Sequence, residues 1–411
     1  MSIESLPDYP LLKKLAEALW RNETSYQGAA IMVGSGFSRS AASSGDINSK
    51  LPLWNDLLKI LSEDLGSDPW GDPLQIAEEY SSYFGKQALR DLIEQTVNDP
   101  AWIPSDLYGS LLKLPWTEVL TTNWDTLLER AASDIYKPIY SIVNKPEDLS
   151  SSRSPRIVKL HGTVQISHNL IFTQEDYRQY PKTHAAFVNL ARQIFIENEF
   201  CLLGFSGDDP NFLQWVGWVR DHLASHARRI YLVGALDLSP AKRKYLESIN
   251  VAPIDLSSLV KHLDNHDQRH REATKMFLNA LQILKPKDSW DWEPTSITRK
   301  TIPENEIGKV HKEHSYAAAL LETQLDQLVK DRESYPVWLV CPSNIRWSLQ
   351  NQITDPFPNS KNLAEMKPDL RSRMLYEIVW RNTITFSVDA IHLAEELLEI
   401  CDPSQLIVNP E

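Results

Sequence analysis

Two spacings of apolar residues alternate along this chain. Residues 29–33, 119–122, 157–160, 200–203, 230–233 and 251–254 are short, mostly apolar and β-branched runs, the pattern of strands covered on both faces. Between them the period lengthens to that of a helix. Leu11, Leu12, Leu15, Ala18 and Leu19 predict a first helix. Residues 51–61, 74–83, 86–97, 124–132, 185–197, 211–223 and 262–284 predict more, Ser38 and Ser40 stand where a helix would start, and 170–172 suggests a small extra strand. Strands alternating with helices imply a parallel sheet with right-handed crossovers, its last strand at an edge. The expected fold class is α/β, a Rossmann-like parallel sheet with helices on both faces. The order of its strands cannot be read from one sequence.

After residue 285 the pattern breaks. Pro286, Asp288, Pro294, Thr295 and Pro303 mark an extended connection, and helical spacing resumes at 317–329, 374–380 and 388–400. The expected organisation is therefore a sheet domain over 1–285, a linker over 286–307 and an α-helical region over 308–411. No internal repeat of fixed period is present.

Composition narrows the function. The 411 residues are 42% apolar and 24% charged, ordinary for a soluble globular protein of two or three domains. A formal net charge of −13 opposes general nucleic-acid binding, which needs a basic face. Local basic clusters, such as Arg228-Arg229 with Lys242-Arg243-Lys244, read as solvated helix faces, and the 13 tryptophans as packing residues. Cys201, Cys341 and Cys401 are widely spaced with no Cys-x-x-Cys pair, so neither a zinc site nor a disulfide framework is expected. No signal-peptide core and no run long enough to span a bilayer is evident, which points to a cytoplasmic protein.

The chemistry concentrates in four segments at the carboxyl ends of predicted strands: Gly34-Ser35-Gly36-Phe37-Ser38, Thr121-Thr122-Asn123-Trp124-Asp125, Leu160-His161-Gly162, and Gly204 through Asn211. In an open parallel sheet those ends face one crevice, where such folds bind nucleotides. Gly34-Ser35-Gly36 lets backbone amides and a helix start face a phosphate, or is a plain strand-to-helix turn. Arg39 stands where the dinucleotide fingerprint has its third glycine, and either pairs with a phosphate or faces solvent. Asn123 can hold a ribose hydroxyl, a water or a carboxamide, or cap a helix. Asp125 reads as that cap or as support for the pocket. His161 suits proton transfer near neutral pH, though a lone histidine is more often structural. Ser206 can bind ribose or phosphate, Asp208 reads as a helix cap, and Asp209 fits either role.

Taken in order, these segments resemble the sirtuin-like NAD hydrolase domain of bacterial antiphage defence proteins, over roughly residues 25–260. Leu51-Pro52-Leu53-Trp54 is similar to the short Pro-x-Trp segment of that branch. The resemblance implies NAD⁺ as substrate, with Asn123 and His161 as the catalytic pair at the nicotinamide ribose. It implies Gly34, Ser35, Gly36, Ser38, Asp125, Gly204, Ser206 and Asp209 as cofactor-binding residues, and no metal. The four-cysteine zinc module and the Asp-Phe-Arg segment of protein-deacylating sirtuins are absent, and Val233-Gly234 stands near where they carry an asparagine for the adenosine. The implied function is NAD⁺ glycohydrolysis by the toxic effector of an abortive-infection defence. The alternatives are a zinc-free deacylase or ADP-ribosyltransferase, or a non-enzymatic NAD⁺ or ADP-ribose sensor. The resemblance further implies a homo-oligomer, partnered by a phage-derived activator or a defence protein such as an ATP-driven translocase. The helical region after Ile307 is then the regulatory or oligomerisation surface.

Overall fold

The structure is a computed structural model, and it describes residues 2–21, 28–45, 50–67, 71–167, 170–205, 209–286, 289–295, 302–339, 341–353, 356, 358–388, 392–393 and 395–397. The chain divides into two compact units, Met1–Lys285 and Pro286–Glu411.

Apart from a short antiparallel pair, Ala42–Ser43 with Trp102–Ile103, the first unit is built on one seven-stranded sheet of β1 (Ala29–Val33), β2 (Val119–Thr121), β3 (Ser141–Val143), β4 (Arg156–Lys159), β5 (Glu199–Leu203), β6 (Ile230–Gly234) and β7 (Val251–Asp255). Every pairing in this sheet is parallel, in the order β3-β4-β2-β1-β5-β6-β7. From β1 the chain places β2 beside it, β3 at the edge and β4 between those two, then crosses back and builds outward through β5, β6 and β7 on the other side. The reversal falls at β1, and the crevice of such a sheet opens there, at the carboxyl ends. Register carries the same point to single residues. Val33 lies opposite both Thr121 and Leu203, and Thr121 lies opposite Lys159. The tips of β4, β2, β1 and β5 are therefore level.

Side chains alternate across the strands, so each face meets its own helices. Ile31, Val33, Val119 and Leu203 pack on the layer of α1 (Tyr9–Leu19), α2 (Ser35–Ser38), α6 (Asp106–Leu112) and α7 (Leu127–Ser133). Met32, Leu120, Val158 and Leu202 pack on α8 (Gln174–Thr183), α9 (Ala185–Glu197) and α10 (Pro210–Leu223). A satellite body of α3 (Trp54–Leu65), α4 (Pro73–Phe84) and α5 (Lys86–Val97) has a core of its own. That core takes in Trp124, Val164 and Phe172 from the segments after β2 and β4. Three more helices, α11 (Pro240–Ser248), α12 (Ser257–Val260) and α13 (His266–Ile283), follow the last two strands.

The departures from the predicted elements have local causes. Residues 170–172 form no strand, because Ile171 N–H donates to the His161 carbonyl and Phe172 N–H to Asp176. The helix after β2 begins at Leu127 rather than 124, because the Asp125 carboxylate accepts the Leu127 N–H and holds a turn. The helix after Gly34 spans only Ser35–Ser38. Edge strand β3 and helix α8, which carries Pro181 inside it, were not anticipated.

The second unit is helical, with α14 (Ile307–Val310), α15 (His314–Glu333), α16 (Ser343–Gln350), α17 (Ser360–Ala364) and α18 (Pro368–Thr385). Leu321, Leu325, Leu328, Met374 and Leu375 form its core. Beside them Arg381, buried, pairs with Glu377 at 2.8 Å and donates to Gln352 at 2.8 Å. Much of the helix expected over 388–400 lies outside the described residues.

Candidate functional site

Two glycine turns meet at the centre of the carboxyl edge. Gly34 N–H donates to the Leu203 carbonyl at 3.0 Å, and Gly36 N–H to the Gly204 carbonyl at 2.9 Å. A Cβ on Gly34 would stand 2.4 Å from the Gly204 oxygen. On Gly204, held at φ +63°, a Cβ would stand 2.2 Å from Phe37 N. Glycine is required because two backbones touch. The Gly36 amide is thereby already paired within the protein. Ser35 opens the short helix α2 half-buried, and Arg39 forms an ion pair with Asp56.

From that turn, Ser38 reaches β2. Asn123 Nδ2 donates to Ser38 Oγ at 2.9 Å, and Ser38 Oγ donates to Asp125 Oδ2 at 2.8 Å. A hydroxyl has one proton to give, and the carboxylate takes it, so Ser38 Oγ must accept from Asn123. This fixes which way the Asn123 amide faces. All three side chains are buried. Thr121 Oγ1 accepts the Asn123 N–H at 3.0 Å and donates to the Val33 carbonyl at 2.8 Å, which ties the tip of β2 to β1. Below them the fully buried Lys159 donates to the Asp125 carbonyl and pairs with Glu129 at 3.1 Å. Burial pushes the Glu129 carboxyl up, and the Lys159 ammonium opposes it.

His161 follows β4 and is 3% exposed. Its Nε2 lies 3.3 Å from Asn211 Nδ2, and its ring meets Tyr177 and Tyr180 edge-on at 5.3 and 5.9 Å. Tyr180 O–H donates to the Leu160 carbonyl at 2.9 Å, and Tyr177 O–H to Asp209 Oδ2 at 3.0 Å. Asp209 also caps α10, accepting the Phe212 N–H at 3.0 Å. Burial lowers the His161 pKa below its usual value, and the Asp209 charge opposes this only in part. The imidazole is therefore neutral at pH 7.

Of the residues singled out from sequence, Gly34, Gly36 and Gly204 gather at one point, and Ser38, Asn123 and Asp125 at another. His161 and Asp209 share a third cluster, and Ser206 and Asp208 lie outside the described residues. Asn123 and His161 each stand two residues beyond a paired position, Thr121 opposite Lys159, on neighbouring strands about 4.8 Å apart. Their partners belong to different layers. Asn123 joins Ser38 beside Phe37 and Tyr108, whereas His161 joins Tyr177, Tyr180 and Asn211. A ligand lying over the strand tips would be touched from both sides. Asn211 and Tyr177 were not among the predicted site residues. The signal for Asn211 was an amide directly after Asp209-Pro210, which reads equally as part of a helix cap. Among the described residues, no three His, Cys, Asp or Glu side chains gather to hold a metal ion. Cys201 and Cys341 are free and buried. No helix there is long and apolar enough to cross a membrane.

A Rossmann-like sheet with glycine turns at its reversal and buried polar side chains on the flanking tips places the chain in the class of open α/β folds whose crevice lies at the carboxyl ends of the strands. Comparison with known proteins narrows that class. Residues 117–254 match the SIR2-like domain, an interval that holds Asn123, His161 and Gly204, while the Gly34 turn precedes it. The chain is 29% identical over 209 residues to NAD(+) hydrolase ThsA of Acinetobacter baumannii (strain 532279), covering 50% of this chain and 42% of that protein. It is 26% identical over 227 residues to NAD(+) hydrolase ThsA of Cytobacillus dafuensis, covering 54% and 43%. Against Defense-associated sirtuin 2 of Bacillus subtilis the identity is 24% over 248 residues, covering 57% and 24%. The chain thus spans less than half the length of these curated relatives.

Proposed function

We propose that this protein hydrolyses NAD⁺ to nicotinamide and ADP-ribose. The observation that carries the reading is the equal register of Asn123 and His161 on neighbouring strand tips, beside two turns that admit only glycine. The relatives named NAD(+) hydrolase support it.

The scissile bond joins a cationic pyridinium to ribose. The leaving group departs neutral and needs no general acid, so the work lies in stabilising an oxocarbenium-like sugar. Asn123, its amide direction set by Ser38 and Asp125, orients a ribose hydroxyl or the attacking water. His161, neutral and buried, polarises a ribose hydroxyl or activates that water. Gly34, Ser35, Gly36 and Gly204 are assigned to the phosphates and ribose through the close approach that a chain without Cβ allows, their paired amides holding the turn. Ser206 is assigned with them by resemblance alone, and Asp209 through its place at the start of α10. In the cell such an enzyme drains NAD⁺ on phage infection and halts growth. We propose the helical second unit as its regulatory or oligomerisation surface, the protein as a cytoplasmic homo-oligomer, and a phage-derived activator or an ATP-driven translocase as its partner.

The test is incubation of purified protein with NAD⁺ and chromatography of the products. We expect nicotinamide release that His161→Ala and Asn123→Ala both abolish without loss of fold. Wild-type turnover by either variant removes that residue from its role. Acyl-ADP-ribose or modified protein as product would point to a deacylase or transferase. Ligand binding with no turnover, in an oligomeric and partner-supplied sample, would point to a sensor.

A further inference from the structure

We propose that Asn211 is a positioning residue that sets the tautomer of His161: its side-chain N–H donates to Nε2, leaving the ring proton on Nδ1. The inference rests on His161 acting at the ligand, as argued above, and goes beyond it by assigning the proton. The two side chains are 3.3 Å apart and each is 3% exposed, so no solvent competes for the contact. The ring cannot tilt away, because Tyr177 and Tyr180 meet it edge-on at interplanar angles of 74° and 76°.

Asn211 is equally constrained. It is the second residue of α10, the turn capped by Asp209, and Asp209 in turn accepts the Tyr177 hydroxyl at 3.0 Å. One residue thus anchors both the helix that carries the amide and a ring that frames the imidazole. An amide N–H facing Nε2 is compatible only with an unprotonated Nε2. A second proton on the ring would set two N–H groups against each other, so the contact keeps the imidazole neutral. Asp209, Asp176 and His184 are the charged or titratable groups that act on His161 from the surrounding elements, with the Tyr177 and Tyr180 hydroxyls bonded elsewhere. Orienting a histidine through a hydrogen bond to its other nitrogen is a general way to make one tautomer do the chemistry. With Nε2 engaged, only the Nδ1–H is left, which selects the role of polarising a ribose hydroxyl over that of activating water.

The experiment uses the full chain labelled with ¹⁵N-histidine, with His161 assigned by difference from His161→Gln. The wild type is expected to show a protonated Nδ1 and an unprotonated Nε2 for His161 at pH 7. Asn211→Leu, close in shape, is expected to give a mixture of tautomers and roughly a hundredfold loss of kcat with KM little changed. Asn211→Asp, which offers a carboxylate to an Nε2–H, is expected to move the acid limb of the pH profile up by about one unit. A wild-type ring protonated on Nε2, or an Asn211→Leu spectrum identical to wild type, overturns the proposal. The spectra need no turnover. Absence of nicotinamide release from the wild type would therefore count against the proposed function and leave the tautomer question separately answered.

Discussion

Ser38, Asn123 and Asp125 act as one unit, since each link defines the direction of the next. Replacing Asp125 by Asn removes the charged acceptor of the Ser38 proton and frees the Asn123 amide to turn. Hydrogen bonds to charged groups contribute about 1.5–3 kcal/mol, so Asp125→Asn and Ser38→Ala should each lower kcat/KM by roughly ten- to a hundredfold. Steady-state nicotinamide release measures this, and an unchanged value would disconnect the triad from the chemistry. Protonation is the second handle at this scale. Because burial holds His161 below its usual pKa, turnover should stay level from pH 8 to about 6.5 and fall only below that. A limb rising above pH 7 would mean the titrating group is another one. The residue types of the site were legible in the sequence, but their contacts were not. Ser38 and Asp125 are 87 residues apart, and His161 and Asn211 are 50 apart. No local spacing encodes such pairs.

Among elements, those whose boundaries matched the sequence reading had unambiguous periods. Strand β1 and helices α5 and α9 begin and end at the expected residues. Helix α8 is rich in polar side chains and carries a proline, so its pattern was hidden. The satellite body shows why element positions matter for the site. Trp54 packs on Phe172 at 4.5 Å and on Trp124 at 5.7 Å, and Trp124 sits between Asn123 and Asp125 in the chain. Trp54→Ala should cost about 3 kcal/mol of stability and also weaken kcat/KM, as the strand tip loses its packing. Thermal melting and nicotinamide release distinguish the two effects, and a loss of stability alone would separate the satellite from the site. Gly204→Ala should be at least as damaging, since it forces a Cβ into a neighbouring backbone at a left-handed φ. A melting temperature equal to wild type would disprove that packing.

For the whole molecule, pH couples to folding through the buried imidazoles. His161, His184 and His270 all have pKa values lowered by burial. As pH falls below about 6.5 the unfolded chain takes up protons that the native one resists, so stability falls with falling pH. The buried His161 contributes up to about 1.4 kcal/mol per pH unit in that window, and the half-exposed His184 and His270 contribute less because water screens them. Denaturant melts from pH 7.5 to 5.5 check the sign, and His161→Gln should flatten the slope. The sequence disclosed the alternation that builds the sheet. It did not disclose the strand order, because parallel strands are joined through helices and adjacency in the chain need not be adjacency in space.

The interlocked turns at Gly34, Gly36 and Gly204 leave the two middle strands no freedom to part at their tips. Whatever settles over that edge meets backbone whose shape is complete before it arrives.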